Sequence, residues 1–384
     1  MKLPTRTAPP GGRIRSNGAE DIVRPSMQEL RLRPYHDLDG AIFRPEAGWL
    51  IPAGYGSIDE EVRAVRRRAG MIDWSDRAKV RLTGSERVPF LDGLVTADLK
   101  ILTPGMSVYA LLLNEKSRVL GDLRVYVFAD SLVLDIEAAQ KDTILQLLEK
   151  ARVSDDVEFN DLGSAGHIEV HGPAAGDLVA GVLTADPRAL QQDAFMTFAV
   201  DKSHEGHVGR VRGLGEVGFA IWSPGSSLRE LWDALSRRDV TPIGRDSFEV
   251  LRIEAGTPRF GMEMGEDTLA LEVAPDFALS FTKGCYVGQE IVARGTYVGQ
   301  VRRKLFGLRV DADVPPVHGD KVSKGTREVG KVTSGTWSPT TGWVIALALL
   351  RVDAVSPKDT LFIDRGGWDL RAQFHPLPFA RGSA

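Results

Sequence analysis

The sequence contains a single cysteine among its 384 residues, Cys285, and no run of about 18 apolar residues. One cysteine cannot form an internal disulfide, and it cannot assemble a zinc or iron–sulfur site of several thiolates by itself. Without a long apolar run we expect no transmembrane helix. The near absence of cysteine also fits a reducing compartment, so we expect a cytoplasmic protein.

An excess of basic residues is missing as well: 48 Lys and Arg stand against 52 Asp and Glu, which gives a net charge of −4. This balance provides no electrostatic footprint for nucleic acid. The phosphate-binding pattern GxxxxGK[ST] is absent, and the single GxGxxG match, at 213–218, runs into the strand-like Phe219-Ala-Ile-Trp222. A dinucleotide site needs a helix there, so we interpret the match as a glycine-rich hairpin turn.

The first 18 residues, MKLPTRTAPPGGRIRSNG, contain four basic residues and no acidic one. A transit peptide has this composition. The stretch is nevertheless rich in proline and glycine without an amphipathic pattern, which favours a flexible tail. We expect a flexible tail over residues 1–30, a core over 31–300 and a further domain over 301–384.

The core contains an internal repeat. Lys79-Val-Arg-Leu-Thr-Gly84 and His167-Ile-Glu-Val-His-Gly172 are alternating, strand-like segments offset by 88 residues, and each is followed by a helical pattern. Each copy then continues with three strands and a second helix. The strands are expected near 106–113, 119–128 and 131–136, with a helix near 138–152; in the second copy they are expected near 195–200, 207–212 and 216–222, with a helix near 226–238. This order predicts two ferredoxin-like α+β units packed together.

Two further helices and a β-rich region complete the predicted elements. One helix is expected from Ser57 to Ala69, closed by Gly70, and another from Ser247 to Ala255, where a glycine and a proline follow. From residue 301 onward, short β-rich runs alternate with turn clusters. This pattern is typical of a small all-β barrel or sandwich.

The segment Lys283-Gly-Cys-Tyr-Val-Gly-Gln-Glu290 surrounds the only cysteine. A neighbouring cation such as Lys283, or the helix predicted to begin at Gln289, would lower the pKa of the Cys285 thiol and favour the reactive thiolate. In that helix Glu290 and Arg294 are spaced as an ion pair. The local sequence favours a buried cysteine that acts as a small hydrophobe equally well. No histidine lies within ten residues, so a local Cys/His nucleophile pair has no support.

Two sets of polar residues could carry chemistry elsewhere. His204 and His207 are three residues apart, as in some metal sites, but the segment resembles a turn and offers no complete ligand set, so we predict no metal site. Asp122 and Asp135 lie on adjacent strands of one predicted meander. They could act as general bases or bind a heterocycle's N–H groups, or they could simply be solvated strand ends.

Several segments together resemble one superfamily. The segment 283–290, continuing to Arg294, resembles the signature of the YgfZ-type folate-binding proteins, which are linked to iron–sulfur cluster assembly and repair. The segment LRIEAGTPRFG at 251–261 resembles a motif that those proteins share with the glycine cleavage T-protein, a tetrahydrofolate-dependent aminomethyltransferase. Segments 49–59 and 68–75 resemble the T-protein itself, and GKVTSG at 330–335 fits the superfamily's C-terminal barrel. The similarity spans about residues 45–384.

The resemblance implies an α+β fold in which two interleaved ferredoxin-like domains and a C-terminal β-barrel surround a central folate channel. It implies tetrahydrofolate, or a derivative, as the cofactor. The residues implied to lie near folate are Tyr109, Asp135 (where the family usually has asparagine), Arg252, Glu263, Tyr286 and Gln289.

This chain departs from the T-protein at three positions. Of the family's paired aspartates, the first, its catalytic acid, is Gly121 here, and only the second is present, as Asp122. The glutamate that binds the pterin is replaced by Ala220. An arginine expected before the 251–261 motif aligns with Phe248, although Arg245 is close. Loss of a general acid costs ~10²–10⁴ in rate, and unmatched pterin donors cost roughly 1–3 kcal/mol.

The sequence therefore leads to a tetrahydrofolate-binding, YgfZ-like monomer with a degraded transferase site, which assists iron–sulfur proteins or their assembly factors. In this hypothesis Cys285 is the functional thiol, Lys283 assists it, and Asp122 is the retained acid. An aminomethyl- or methyltransferase of the T-protein type is the alternative. A non-catalytic module that no longer binds folate is a third hypothesis.

Overall fold

The computed structural model describes residues 27–163, 165–297, 301–380 and 382. Most of the predicted flexible tail, residues 1–26, therefore lies outside the described residues. The last part of that tail is ordered, because Gln28–Glu29 form a short strand, β1, that pairs in parallel with a strand beginning at Trp49. Leu30 is buried directly after it.

The described chain opens with a three-stranded sheet, two helices and a strand that joins a later sheet. The elements are β1, α1 (Arg33–Leu38), β2 (Ile42–Glu46), β3 (Trp49–Gly54), α2 (Ile58–Arg67) and β4 (Gly70–Asp73). The helix predicted after Ser57 is confirmed, but Gly70 begins β4 instead of capping the helix. A Cβ atom at Gly70 would lie 2.5 Å from Cγ2 of Val65, so the glycine lets the strand pack closely on α2.

The predicted repeat is confirmed as two units of the same order. The first contains β5 (Ala78–Thr83), α3 (Arg87–Asp92), β6 (Ser107–Leu113), β7 (Val119–Val127), β8 (Leu132–Ile136), α4 (Lys141–Ala151) and β9 (Glu158–Asp161). The second contains β10 (Gly166–His171), α5 (Ala175–Ala180), β11 (Phe195–Ala199), β12 (Glu205–Val211), β13 (Gly218–Ser223), α6 (Leu228–Ser236) and β14 (Thr241–Pro242). Gly84 and Gly172 end the first strand of each unit with positive φ, +100° and +138°.

The two units are interleaved in the chain. Their sheets have the strand orders β6-β7-β8-β5-β9 and β11-β12-β13-β10-β4-β14. Strand β4 precedes the first unit in sequence, yet it pairs with β10, so that Asp73 lies opposite Ile168. The chain thus starts in the second unit, passes through the first and returns.

The two sheets meet through aromatic side chains. The ring of Tyr126 on β7 lies 5.6 Å from that of Trp222 on β13 and 5.2 Å from that of Phe195 on β11. Helices cover the other faces: Ile144 of α4 packs on Leu123 and Leu134 in the first core. Each sheet therefore has a helix-covered face and a face directed at its counterpart.

A long helix connects these units to the last domain. The helices are α7 (Arg245–Ala255), α8 (Ala270–Val273) and α9 (Gln289–Tyr297). As predicted, α7 ends at Gly256, which adopts the left-handed conformation that favours glycine. Ile253 of α7 packs against Ile345 and Leu347 of the last domain.

The C-terminal region forms a closed six-stranded barrel, which decides between the barrel and the sandwich that the sequence left open. Its strands are β15 (Arg303–Asp311), β16 (Lys321–Lys324), β17 (Arg327–Ser338), β18 (Trp343–Arg351), β19 (Thr360–Arg365) and β20 (Trp368–His375), in the order β15-β18-β17-β16-β19-β20. Within the described part of the chain, no helix has the length and apolar character needed to cross a membrane.

Candidate functional site

A cavity of about 320 Å³ lies between the inner faces of the two sheets and the end of α7. The first unit contributes side chains from β6, β7 and β8, and the second contributes β10 and the turn after β12. Residues 252–259 and 275–277 complete the wall. The polar and aromatic side chains of the lining are Trp74, Arg77, Tyr109, Asp122, Arg124, Tyr126, Asp135, Glu137, Glu169, His171, Arg212, Phe248, Arg252, Arg259 and Phe277.

Asp122 is an acid held in place inside this cavity. The Tyr109 hydroxyl donates to its Oδ2 atom at 2.7 Å, and Nε2 of Gln140 donates to Oδ1 at 2.6 Å. The Gln140 side chain also accepts the backbone N–H of Asp122. Burial, together with the nearby charge of Glu137, raises the pKa of Asp122. Asp122 can therefore keep a proton at a pH where an exposed aspartate has lost it.

Gly121 does not face the cavity. A Cβ atom on it would lie 3.1 Å from Ile144 of α4 and 3.1 Å from Oε1 of Gln140. Because side chains alternate along a strand, the cavity receives the side chain of the next residue, Asp122. The expectation that Gly121 removes the acid from the site is therefore wrong for this fold.

Asp135 is a fixed anion in the same wall. Nε of Arg77 and Nζ of Lys79 donate to its Oδ1 atom at 2.8 and 2.9 Å. Although burial disfavours the charged carboxylate, these two cations hold the pKa of Asp135 well below its usual range. Both Asp122 and Asp135 are thus engaged in the interior, and the alternative of solvated strand ends is wrong for them.

Glu169 supplies a carboxylate beside Ala220, the position where the family has its pterin-binding glutamate. It lies directly opposite Ala220 in the β10–β13 pairing, so the two side chains point to the same face, about 5 Å apart at Cβ. Nε2 of His171 lies 2.9 Å from Oε2 of Glu169. Burial opposes its charge, but the hydrogen bond from His171 and the histidine charges lower the pKa of Glu169 to about 2. The cavity therefore has an acceptor one strand away from residue 220.

An aromatic wall stands where the family's arginine was expected. The ring of Phe248 contacts Trp74 edge-on, with centroids 4.8 Å apart, and both side chains line the cavity. The guanidinium of Arg245 stacks on Trp74 at 3.4 Å and binds Asp76. Arg245 is absent from the cavity lining, so it does not replace the missing arginine.

Arg252 and Glu263, both predicted near folate, lie in a buried junction between α7 and the barrel. Nη1 of Arg252 donates to Glu263 at 3.0 Å, and Nη2 donates to Ser334 of β17 at 2.8 Å. The other oxygen of Glu263 accepts from the Ser334 hydroxyl at 2.6 Å. Arg252 reaches the cavity wall, whereas Glu263 does not line the cavity. Their contact with folate stays a prediction.

Cys285 is exposed, so the alternative of a buried cysteine is wrong. Lys283, in contrast, is buried: its ammonium group donates to the backbone carbonyls of Asp92, Val95 and Ala97 at 2.6, 3.0 and 2.7 Å. It also contacts the Asp92 carboxylate at 3.0 Å. These bonds occupy Lys283 in anchoring the segment to the first unit. The predicted assistance of the thiol by Lys283 therefore gains no support from the geometry.

The rest of that segment packs away from the cavity. Tyr286 is buried in the cluster that joins the first unit to the barrel, and Nε2 of Gln289 donates to the carbonyl of Lys283 at 3.4 Å. The helix predicted to begin at Gln289 is present, but the side chain of Arg294 lies outside the described residues. The segment 283–289 does not line the cavity, so folate contacts from Tyr286 and Gln289 stay predictions.

The two remaining sequence motifs have structural partners. The segment 213–218 forms the turn between β12 and β13, as predicted. His204 pairs with Asp201 at 2.8 Å, and the ring of His207 packs on Trp222 with centroids 4.1 Å apart. Among the described residues, no group of three or more potential metal ligands comes together.

Sequence reasoning missed several cavity residues. Glu137 follows the predicted strand that carries Asp135, and Glu169 alternates with two histidines along β10, so both had a local signal in the strand pattern. Arg212 and Phe277 had none, because each belongs to a loop that only the fold brings to the cavity.

Two family models match the chain. The GCVT N-terminal domain matches residues 32–283, and the glycine cleavage T-protein C-terminal barrel domain matches residues 303–380. The first match alone spans more than half of the chain, and the second coincides with the closed barrel.

Proteins named aminomethyltransferase are similar over almost the whole length. That of Geobacillus kaustophilus is 31% identical over 341 residues, 87% of this chain and 93% of the relative. That of Thermotoga maritima is 31% identical over 365 residues, 93% and 99% of the two chains. The crystal structure of the glycine cleavage system aminomethyltransferase T from Bartonella henselae has a TM-score of 0.85 at 25% identity, covering 93% and 99%.

Proposed function

The chain belongs to the glycine cleavage T-protein family, and from that premise we propose that it binds tetrahydrofolate in the cavity and acts as an aminomethyltransferase. The observation that carries the proposal is Asp122, a partly buried acid with a raised pKa that lines the cavity and is held by Tyr109 and Gln140. The relatives named aminomethyltransferase support the same reaction class. Of the three departures from the T-protein, at Gly121, Ala220 and Phe248, the first falls at a position where a Cβ atom would face α4 and not the cavity.

The chemistry of the cavity fits a reduced pterin. Glu169 and Asp135 are anionic acceptors for N–H groups, and Trp74 and Phe248 supply flat apolar surface. Four buried polar atoms of the lining have no hydrogen-bond partner among the described residues: Nε1 of Trp74, the hydroxyl of Tyr126, Nδ1 of His171 and Nε of Arg259. Buried polar groups are normally satisfied, so such atoms indicate a polar ligand or water beside them.

In this proposal each residue has a defined task. Tetrahydrofolate, when bound, supplies the secondary amine that carries the one-carbon unit. Asp122 holds a proton at its carboxyl, delivers it to the amine that leaves the aminomethyl carbon as ammonia, and regains a proton from the attacking N–H group. Tyr109 and Gln140 fix the orientation of that carboxyl. Glu169 and Asp135 orient the ring system by accepting its N–H groups. The aromatic wall excludes water from the reacting atoms.

An anaerobic calorimetric titration with tetrahydrofolate tests the binding, and incubation with tetrahydrofolate and aminomethyl or methyl donors tests the transfer. We expect one site per chain and formation of methylene- or methyl-tetrahydrofolate. Binding without any product would contradict the transferase. Absence of binding would leave the third hypothesis, a non-catalytic module.

A second candidate function is the YgfZ-like support of iron–sulfur proteins. The specific observation in its favour is the exposed thiol of Cys285 within the segment KGCYVGQE. An exposed thiol is available to a partner protein, whereas a buried one is not. In this proposal the thiol acts outside the cavity, independently of Asp122.

Complementation separates the two candidates. In a strain lacking its YgfZ-type relative, the YgfZ-like role predicts that Cys285→Ala abolishes rescue, while Asp122→Asn still rescues. The transferase predicts the reverse pattern for product formation in vitro. Full rescue by Cys285→Ala would remove the second candidate.

A further inference from the structure

We propose that Arg212 and Phe277 form a subsite at the mouth of the cavity that binds an anionic aromatic tail, of the kind that an acylated amino acid provides. The proposal rests on the proposed function, because the tail is the part of tetrahydrofolate that follows its pterin ring. It identifies the residues that distinguish a tailed substrate from a bare pterin. Both residues are distinct from the proposed acid, Asp122, and from the proposed pterin acceptors, Glu169 and Asp135.

The two side chains are paired at the edge of the cavity. Arg212 follows β12 directly and opens the glycine-rich turn 213–218, and Phe277 belongs to the loop after α8. The guanidinium carbon of Arg212 lies 5.0 Å from the centre of the Phe277 ring. Arg212 is 43% exposed and Phe277 is 47% exposed, although both line the cavity. A large exposed aromatic ring beside a cation is available to a ligand that leaves the cavity here.

The charges at this edge favour an anion. Asp193 is shared by two arginines, since its Oδ1 atom accepts from Arg124 at 2.8 Å and its Oδ2 atom accepts from Nε of Arg212 at 3.0 Å. Two guanidinium groups with one carboxylate leave a positive charge in excess. Arg212 uses only Nε in this contact, and its two terminal nitrogens make no hydrogen bond to the described residues. A guanidinium with free terminal N–H groups matches a carboxylate in shape and charge.

This edge is connected to the acid by a short row of side chains. The ring of Phe277 lies 6.2 Å from that of Tyr109, which it meets edge-on, and the Tyr109 hydroxyl donates to Asp122 at 2.7 Å. The row therefore leads from the exposed cation through two aromatic rings to the proton-holding carboxyl. A cavity of about 320 Å³ accommodates the ring system, so a charged tail extends along this row to the solvent.

The experiment compares two ligands on the full chain under anaerobic conditions: tetrahydrofolate, and 6-methyltetrahydropterin, which lacks the tail. We expect Arg212→Gln to weaken tetrahydrofolate about three- to tenfold, the range between an exposed and a partly desolvated charge contact, and to leave the pterin unchanged. Phe277→Leu should give the same selective loss. Arg371→Gln, which removes an exposed arginine from β20 of the barrel, is the matched control and should change neither affinity.

Salt provides an independent measure. Because Arg212 is partly exposed, its attraction for a carboxylate is screened by salt, so the wild-type affinity for tetrahydrofolate should fall with ionic strength more steeply than that of Arg212→Gln. An equal effect of Arg212→Gln on both ligands, or no effect on either, would overturn the subsite while leaving the proposed function intact. Failure of the wild type to bind even 6-methyltetrahydropterin would overturn the proposed function, and the subsite with it.

Discussion

Nζ of Lys79 lies 3.2 Å from Nδ1 of His167, and both atoms are buried at the centre of the molecule. The two residues are 88 positions apart, which is the offset of the internal repeat, so they occupy the same position in the two units. The first strands of the units thus meet at equivalent residues. Each of the two residues also contacts a carboxylate of the cavity wall. Lys79 donates to Asp135, and Nε2 of His167 lies 3.6 Å from Oε1 of Glu169.

Lys79→Met should strongly destabilise the protein. The substitution removes one of two cations that bind Oδ1 of Asp135, and removing one partner of a buried ion pair costs about 3–5 kcal/mol. Urea denaturation measures the free energy of unfolding. The control is Lys324→Met, which breaks a solvent-screened surface pair with Asp359 and should cost far less than Lys79→Met. Similar losses for both variants would contradict the role assigned to Lys79.

The protein should lose stability as the pH falls below 6.5, and His167 should account for the first part of the loss. Burial and the charge of Lys79 lower the pKa of His167 to about 3 from the ordinary 6.5. Between pH 6.5 and pH 3 His167 therefore binds a proton in the unfolded chain but stays neutral in the folded chain. The free energy of unfolding declines as the pH falls through this range, by about 1.4 kcal/mol per pH unit at most. Glu169, with its pKa lowered to about 2, adds a decline that begins near its ordinary value of 4.5.

Denaturation between pH 4.5 and 6.5 avoids most of the Glu169 contribution. His207, whose pKa is lowered to about 4 by burial, contributes in the same window, so His167 accounts for only part of the slope. His167→Gln should reduce the slope in this window without abolishing it, because His207 still contributes, whereas His204→Gln, which replaces an exposed histidine, should leave the slope as in the wild type. An unaltered slope in His167→Gln would show that another group takes up the proton.

Asp122→Asn should reduce the proposed transfer by ~10²–10⁴, the usual contribution of a general acid, with little change in folate affinity. The protonated carboxyl is the active form, so the wild-type rate should fall as the pH rises through its raised pKa. Glu137→Gln removes a charge that contributes to this shift, and it should move the falling limb to lower pH. Rate measurements over pH check both points, with Asp313→Asn on the barrel as the exposed control. An unchanged rate in Asp122→Asn would exclude it as the acid.

Glu169→Ala should weaken tetrahydrofolate binding by roughly 1–3 kcal/mol, because a buried N–H group of the ligand would lose its acceptor. Since Ala220 lies directly opposite on the neighbouring strand, adding Ala220→Glu to this variant should restore part of the affinity. Calorimetry measures both variants, and Glu158→Ala, an exposed residue at the sheet edge, serves as the control. If the double variant bound no better than Glu169→Ala, the carboxylate would not be transferable between the two strands.

Much of the architecture could be predicted because its signals are local. Alternation along residues 79–84 and 167–172, each closed by a glycine, identified the first strands of both units, and the left-handed Gly256 marked the end of α7. The spacing of short strands after residue 301 predicted an all-β domain, and the structure decided that it is a closed barrel. The interleaving of β4 with β10 had no local signal, because strand pairing between distant segments leaves no mark in either of them.

The site was predicted only in part. Asp122 and Asp135 come together in one wall, as expected from adjacent strands of a meander, and Tyr109, which only the family resemblance implied, lines the same cavity. Lys283 is adjacent to Cys285 in sequence, yet its ammonium group turns to the carbonyls at Asp92, Val95 and Ala97. Burying an ammonium group is costly unless its donors are satisfied, so the contacts of Lys283 are set by the first unit and not by its chain neighbours.

The sequence by itself determined most of the elements, the repeat, the all-β character of the C-terminal region and the types of residue available for chemistry, because side-chain alternation and turn residues act over a few positions. Only the tertiary structure decided which of these residues share the cavity. Neighbours on a strand point to opposite faces, so the packing of α4 on one face of β7 directs residue 121 away from the cavity and Asp122 into it. By the same geometry, Glu169 supplies its carboxylate beside Ala220, and two distant loops bring Arg212 to Phe277.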